Sequence, residues 1–184
     1  MAVPLANAPL TTDRLLVRPW RHDDAERMLD IMSRVEVTKW LGDGAPYVMR
    51  DLDEAHARID RLAERSATPP LLYWAVEVRA TGQVAGSVLL LTLPNAEDGE
   101  VEIGWHLHPD SQGRGYATEA AAALMAHGFA GGLPEIHALT HLDNAPSQNV
   151  CRKLGMHDLG VVERWYDGPS QHFLITAQEW RARH

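Results

Sequence analysis

DSQGRGYATEAAAALM, residues 110–125, decides how this chain is read. Gly113 and Gly115 lie one residue apart and lead into an alanine-rich run of strong helical propensity. A helix start carries unsatisfied backbone N–H groups and the positive end of the helix dipole, so it attracts phosphate. Glycines let the backbone approach an anion and take up conformations closed to other residues. Arg114, between them, adds a charge that can reach a phosphate oxygen. The alternative is a plain strand-to-helix bend. Two nucleotide motifs are excluded: a Walker loop ends in Gly-Lys-Ser/Thr, and no lysine is present here. A dinucleotide fingerprint needs a third glycine where Thr118 stands, and sits near the start of a chain.

The remaining sequence frames that turn. The 184 residues suit one domain with a full core, 45% of them hydrophobic and 23% charged, as in ordinary globular enzymes. No run of about eighteen apolar residues is present to cross a membrane. MAVPLANAPL, residues 1–10, lacks the basic start and long apolar stretch of a signal peptide. Cys151 stands alone, so no internal disulfide forms, and a cytoplasmic location is expected. The net charge of −8 argues against a nucleic-acid binder and favours a cationic substrate such as an amine.

Residues 11–19, TTDRLLVRP, read as a first strand, and 22–34 and 52–64 as two amphipathic helices with charged outer positions. Three strands follow, within 72–80, 84–93 and 99–109. The glycine turn then feeds a helix to about Phe129, a strand over 135–142, a short helix over 145–154 ended by Gly155, and a final hairpin over 160–176. The order implies a mixed α/β domain around one central sheet.

The spacing Gln112-x-x-Gly115-x-Ala117 matches the Q/R-x-x-G-x-G/A signature of the GNAT superfamily of N-acetyltransferases. EIGWHLHPDSQGRGYATEA resembles its RimJ/RimL-like branch, which includes ribosomal-protein N-terminal acetyltransferases. LTTDRLLVRPWRHDDAERM resembles that branch's opening strand and helix. NAPSQNVCRKLGM resembles its N-x-x-S-x-x-V-x-x-K-L-G-F block, with Met156 in place of phenylalanine, and DGPSQHFLITAQEW its closing strand. The resemblance implies a single domain over 1–184, a mostly antiparallel sheet with one splayed parallel pair, and acetyl-CoA as co-substrate. An amine, on a protein N-terminus or a small molecule, would be the acceptor, and a homodimer is compatible with it. The alternative is a non-catalytic acyl-CoA sensor or scaffold.

By that resemblance Gln112, Gly113, Arg114, Gly115, Ala117 and Thr118 cradle the CoA pyrophosphate. The strand before them pairs with the pantetheine arm, with an oxyanion-binding amide among Trp105, His106 and Leu107, where a bulge is usual. Asn144 corresponds to the asparagine that hydrogen-bonds pantetheine, and equally suits a helix N-cap. Many members carry a tyrosine seven residues later as the acid for the departing thiolate; this chain has Cys151 there, which leaves Ser147 as the better candidate. Glu102 leads as general base, with Glu100 and His106 as rivals on the same strand face. Ten histidines, His106, His108, His137 and His141 among them, form no compact ligand set, so no metal is expected. Trp40, Trp105, Trp165 and Trp180 either line an acceptor pocket or pack the core. The loop 40–47 would border the acceptor entrance.

Overall fold

A computed structural model describes residues 8–42 and 45–183. The leaderless reading of the first residues rests mostly on positions outside that range. The chain opens with β1 (Leu10–Thr11) and β2 (Leu15–Arg18), a 3-10 turn over His22–Asp24, α1 (Ala25–Met32), α2 (Val35–Thr38) and α3 (Leu52–Arg65). Next come β3 (Leu72–Val78), β4 (Val84–Thr92), β5 (Val101–Leu107), a 3-10 turn over Pro109–Ser111, and α4 (Tyr116–Ala130). The chain closes with β6 (Glu135–Thr140), α5 (Ala145–Lys153), β7 (His157–Val162), β8 (Ser170–Thr176) and α6 (Ala177–Arg183).

Three local readings change. The first strand is a hairpin of two short pieces, because Thr12 closes a turn on Leu15 through both its N–H, at 2.9 Å, and its hydroxyl. The helix expected over 22–34 begins as a 3-10 turn and stops at Met32, and α2 follows as a separate four-residue piece. α6 was not read from the sequence; it follows β8 without a break, its Thr176 bonded to Glu179.

The strands form one eight-stranded sheet in the order β1-β2-β3-β4-β5-β6-β8-β7. Every neighbouring pair is antiparallel except β5–β6, so the sheet is mixed, as expected for this fold class. Side chains alternate across it and feed two cores. Trp74, Leu90, Ile103, Ile136, Phe173 and Ile175 pack against α4, α5 and α6 on one face. Trp20, Tyr73, Ala75 and Leu91 pack against α1, α2 and α3 on the other. The β3–β4 register slips between Val76 and Glu77, opposite Gly86 and Val84, so the irregularity falls in β4 and the β4–β5 register runs unbroken. At Gly86 a Cβ would stand 2.1 Å from the His106 carbonyl oxygen, so only glycine lets β4 approach β5 there.

Arg18 anchors the second core's edge. Its buried guanidinium bonds Glu77 at 2.6 Å and both Asp24 oxygens at 2.7 and 2.9 Å. Burial alone would raise the Asp24 carboxyl, but hydrogen bonds from Arg18 and the Arg21 N–H outweigh it and hold it below the usual carboxylate range. Arg18→Met leaves two carboxylates without their cation and should cost about 3–5 kcal/mol in urea unfolding at pH 7. Because the folded Asp24 pKa is depressed, that stabilisation is present above pH of about 4 and is lost as pH falls. The gap between the two proteins should therefore narrow in acid. A loss below about 1 kcal/mol at pH 7 would show that the network contributes little.

Candidate active site

β5 and β6 meet at a single register pair, Glu102 with His137, although both strands continue well beyond it. Past that point they part, and a cleft of about 1090 Å³ opens along the divergence. Its walls are Ile103 to Leu107 on one side and Ala138 to Asn144 on the other. The unbroken β4–β5 ladder settles which way the β5 amides point. His108 N–H bonds Ala85 and Glu100 accepts from Leu93, so even-numbered residues spend their backbone groups on β4. The amides of Trp105 and Leu107 then face the gap, and that of His106 faces β4. No bulge interrupts this stretch of β5.

At the end of the cleft lies the glycine turn. Gly113 and Gly115 both hold left-handed backbone, with φ of 72° and 81°. The first bond inside α4 runs from Glu119 N–H to the Gly115 carbonyl, so the amides up to Thr118 leave the helix start without intrahelical acceptors. Gln112, Gly113, Gly115, Ala117 and Thr118 line the cleft. Gln112 also donates its side-chain amide to the Leu107 carbonyl at 3.1 Å, fixing the turn to the end of β5. The Arg114 side chain is exposed and lies outside the lining, while its carbonyl accepts from Arg14 at 2.9 Å. Arg14 also bonds Glu119 at 2.6 Å, which accepts from Thr12 as well, so the N-terminal hairpin braces the turn. Sequence reading missed that brace, since its partners are about a hundred residues apart.

α5 supplies the second wall. Asn144 is buried, caps the helix by accepting from Ser147 N–H at 3.2 Å, and lines the cleft. Ser147 lines it too. Cys151 does not; it sits wholly in the core, where burial pushes its thiol up to about 12. It is inert as an acid or nucleophile at neutral pH.

The other half of the cleft faces α2 and α3. Glu102 stands where the strands part, and Tyr166, from the β7–β8 loop, donates to it at 2.5 Å. Burial pushes the Glu102 carboxyl up to about 7, against smaller opposing effects of Tyr166 and the Arg65 charge. His106 is buried with its Nδ1 unbonded, and burial pushes it down to about 3, so it is neutral and weakly basic. Glu100 is tied up at the rim by Arg164 at 2.6 Å and by the Asp98 N–H. Arg58, Arg65 and Tyr73 complete this half. Tyr166, Arg58 and Arg65 carried no sequence signal, because neither spacing nor motif marks residues that meet only through the fold.

The remaining expected residues divide. Trp40 and Trp105 line the cleft, and Trp165 and Trp180 are buried away from it. Of the loop 40–47, positions 43 and 44 lie outside the described residues. Gly42 accepts from His141 Nε2 at 3.0 Å, and Trp40 packs edge-on to the same ring, so this loop is latched to the end of β6. His108 pairs with Asp30 and Asp110, and His137 stacks on His172. No group of three metal-ligating side chains comes together among the described residues.

The sequence model of the acetyltransferase (GNAT) domain family matches residues 14–157. The chain belongs to that family. It is an acetyl-CoA-dependent acetyltransferase. Among curated relatives, the uncharacterized N-acetyltransferase YoaA of Bacillus subtilis is 28% identical over 157 residues, covering 85% of this chain and 86% of YoaA. The FsC-acetyl coenzyme A-N(2)-transacetylase of Aspergillus fumigatus is 25% identical over 95% of this chain and 79% of its own. The solved GNAT acetyltransferase of Bacillus anthracis superposes with a TM-score of 0.77 at 22% identity, over 94% of this chain and 100% of that one. RimJ of Mycobacterium smegmatis, solved with CoA-disulfide, gives 0.73 at 22% identity over 94% and 87%, in keeping with the RimJ/RimL-like resemblance. No helix of the described residues in this acetyltransferase is long and apolar enough to cross a membrane.

The open splay, the left-handed glycines and the unpaired helix-start amides fit a pantetheine pyrophosphate. Gly115→Trp forces a bulky side chain into left-handed backbone at φ of 81° and blocks backbone approach to the anion. Calorimetric titration of the acetyltransferase with acetyl-CoA should give micromolar affinity, and the variant should lose about a hundredfold or more. Equal affinity would reduce the turn to a bend.

Proposed function

We propose that this acetyltransferase moves an acetyl group to a primary amine by direct attack in a ternary complex, with Glu102 as general base. One observation carries the reading: a carboxyl raised to about 7 stands in the cleft wall where β5 and β6 part. A base of that strength is matched to taking a proton from an ammonium at neutral pH. His106 is too weak and Glu100 is engaged by Arg164. A domain that only sensed acyl-CoA has no need of such a group, which favours transfer over the scaffold reading. The names of the relatives, an N(2)-transacetylase and RimJ, are in keeping with an amine acceptor.

Acetyl-CoA, when bound, supplies the thioester carbonyl that the amine attacks. Gln112, Gly113, Arg114, Gly115, Ala117 and Thr118 hold its pyrophosphate through backbone amides, with the Arg114 side chain free to turn toward a phosphate. Asn144, its carbonyl oxygen spent on the cap, offers its NH₂ to pantetheine. Trp105 or Leu107 offers the gap-facing N–H to the carbonyl oxygen as charge develops there. The Ser147 hydroxyl donates toward the departing sulfur. Tyr166 holds the Glu102 carboxylate in place.

Glu102 must be ionised to accept a proton, so kcat at saturating amine should fall as pH drops below about 7. Glu102→Gln should remove that limb and lower kcat about 10²–10⁴-fold. Tyr166→Phe should move the limb upward, because the lost hydrogen bond favours the ionised form. An unchanged kcat in Glu102→Gln would put the base elsewhere. Ser147→Ala should lower kcat with little change in acetyl-CoA affinity; an unaltered kcat would leave Ser147 as a CoA contact alone.

A further inference from the structure

The acceptor half of the cleft presents two arginines, Arg58 and Arg65, in a chain whose net charge is −8. α3 packs on β3, on the sheet face that also carries Glu102, and presents Arg58 and Arg65 to the cleft. They are seven residues apart, two helical turns or about 10 Å, and so share one helix face. Glu102 and His106 are four strand residues apart, about 13 Å. The two pairs run in opposite directions. The Arg58 charge is felt at His106 and the Arg65 charge at Glu102, and all four side chains line the one cleft. Arg14, Arg18, Arg27, Arg34 and Arg164 each hold a carboxylate. Arg58 and Arg65 hold none among the described residues: Arg58 donates to the Tyr73 hydroxyl at 3.2 Å and lies over its ring, and no ion pair involves Arg65. Among the described residues that line the cleft, the other carboxylates are Glu36, which is exposed and already faces Arg34 at 3.7 Å, and Asp143, just before α5. His106 adds a neutral ring whose Nδ1 is buried without a partner.

We propose that the acceptor is a small amine that also carries an anionic group, a carboxylate or a phosphate ester, which Arg58 and Arg65 bind while its amine lies at Glu102. The inference rests on transfer to an amine as proposed above and names the class of that amine. Guanidinium groups without a protein carboxylate suit such an anion, because their forked donors match both oxyanions in two-point contact. His106 Nδ1 offers a further polar contact beside Arg58. A polyamine would meet like charge at both arginines, and the net charge of −8 says nothing about this local field.

The test is CoA release by the full chain with matched pairs of amines: L-serine and L-serinamide, β-alanine and its amide, O-phosphoethanolamine and ethanolamine, with spermidine as the polycation. Within at least one pair the anionic member should have a kcat/KM about tenfold or more above the neutral one. The amide has the more readily deprotonated amine, so this preference runs against intrinsic reactivity. The pair with the larger ratio tells carboxylate from phosphate. Arg58→Gln with Arg65→Gln should collapse the ratio, and the two lysine variants should keep part of it. Loss of the Arg58 bond to Tyr73 alone would slow both members of a pair alike and leave the ratio standing. Should the double variant misfold, Arg65→Gln, at an exposed position, should by itself lower the ratio.

Neutral or cationic amines used as well as the anionic ones, or a ratio indifferent to the arginines, would overturn the proposal. A protein that binds acetyl-CoA yet releases CoA to no amine overturns the transfer reading instead. Calorimetry on the CoA complex then decides the anion site: tighter binding of N-acetyl-L-serine than of its amide supports it, and equal binding overturns it.

Discussion

The parallel contact between β5 and β6 holds at one pair of residues, and the site exists because it holds nowhere else. The six other strands are ordinary antiparallel neighbours, each satisfying the next one's backbone. Two strands that touch and then part leave backbone amides on β5 without a strand to bond, inside the sheet and not at its edge. Unsatisfied buried amides are costly, so such a gap is tolerable only where a ligand or water takes up those groups. The constraint also fixes Glu102, which stands at the hinge of the divergence with His137 beside it. From there the sheet face sends Gly104 and His106 toward α3 and sends Ile103 and Trp105 toward α4.

Two turns of chain make the rest of the site from this opening. Gln112 ties the glycine turn to the last residue of β5, so the amides of the α4 start are aimed along the same cleft. Asn144 caps α5 with its oxygen, which places Ser147 on the opposite wall. These are local hydrogen bonds within five residues, and they turn a split in a sheet into an oriented channel. Tyr166 and the two α3 arginines come from distant parts of the chain and line the same channel.

Legibility followed the range of each interaction. The glycine turn, the cap at Asn144 and the alternation of Glu102 and His106 are short-range, and the sequence carries them openly as spacing and propensity. Strand order and the parallel pair came from the resemblance, since nothing within β5 states which strand lies next to it. The first strand divides in two because Thr12 folds the chain back on itself through its N–H and its hydroxyl, which hydrophobic alternation does not register. Arg14, Glu119, Arg58, Arg65 and Tyr166 were missed for the opposite reason: each acts on a group far away in the chain. Cys151, marked as a rival acid by its position in a motif, is removed by burial, a property of the packed molecule.

The strand order has a bearing on how the molecule is assembled. From β1 to β6 each strand lies next to its predecessor in the chain, so this part of the sheet can be laid down in the order of synthesis. β6 breaks the sequence, because its second neighbour is β8, the last strand made, with β7 displaced to the outside. Until β8 arrives, β6 has an unpaired edge on one side and only one register pair on the other. The strand that forms a wall of the cleft is thus the one left least supported on the nascent chain, and the last strand made is what completes it.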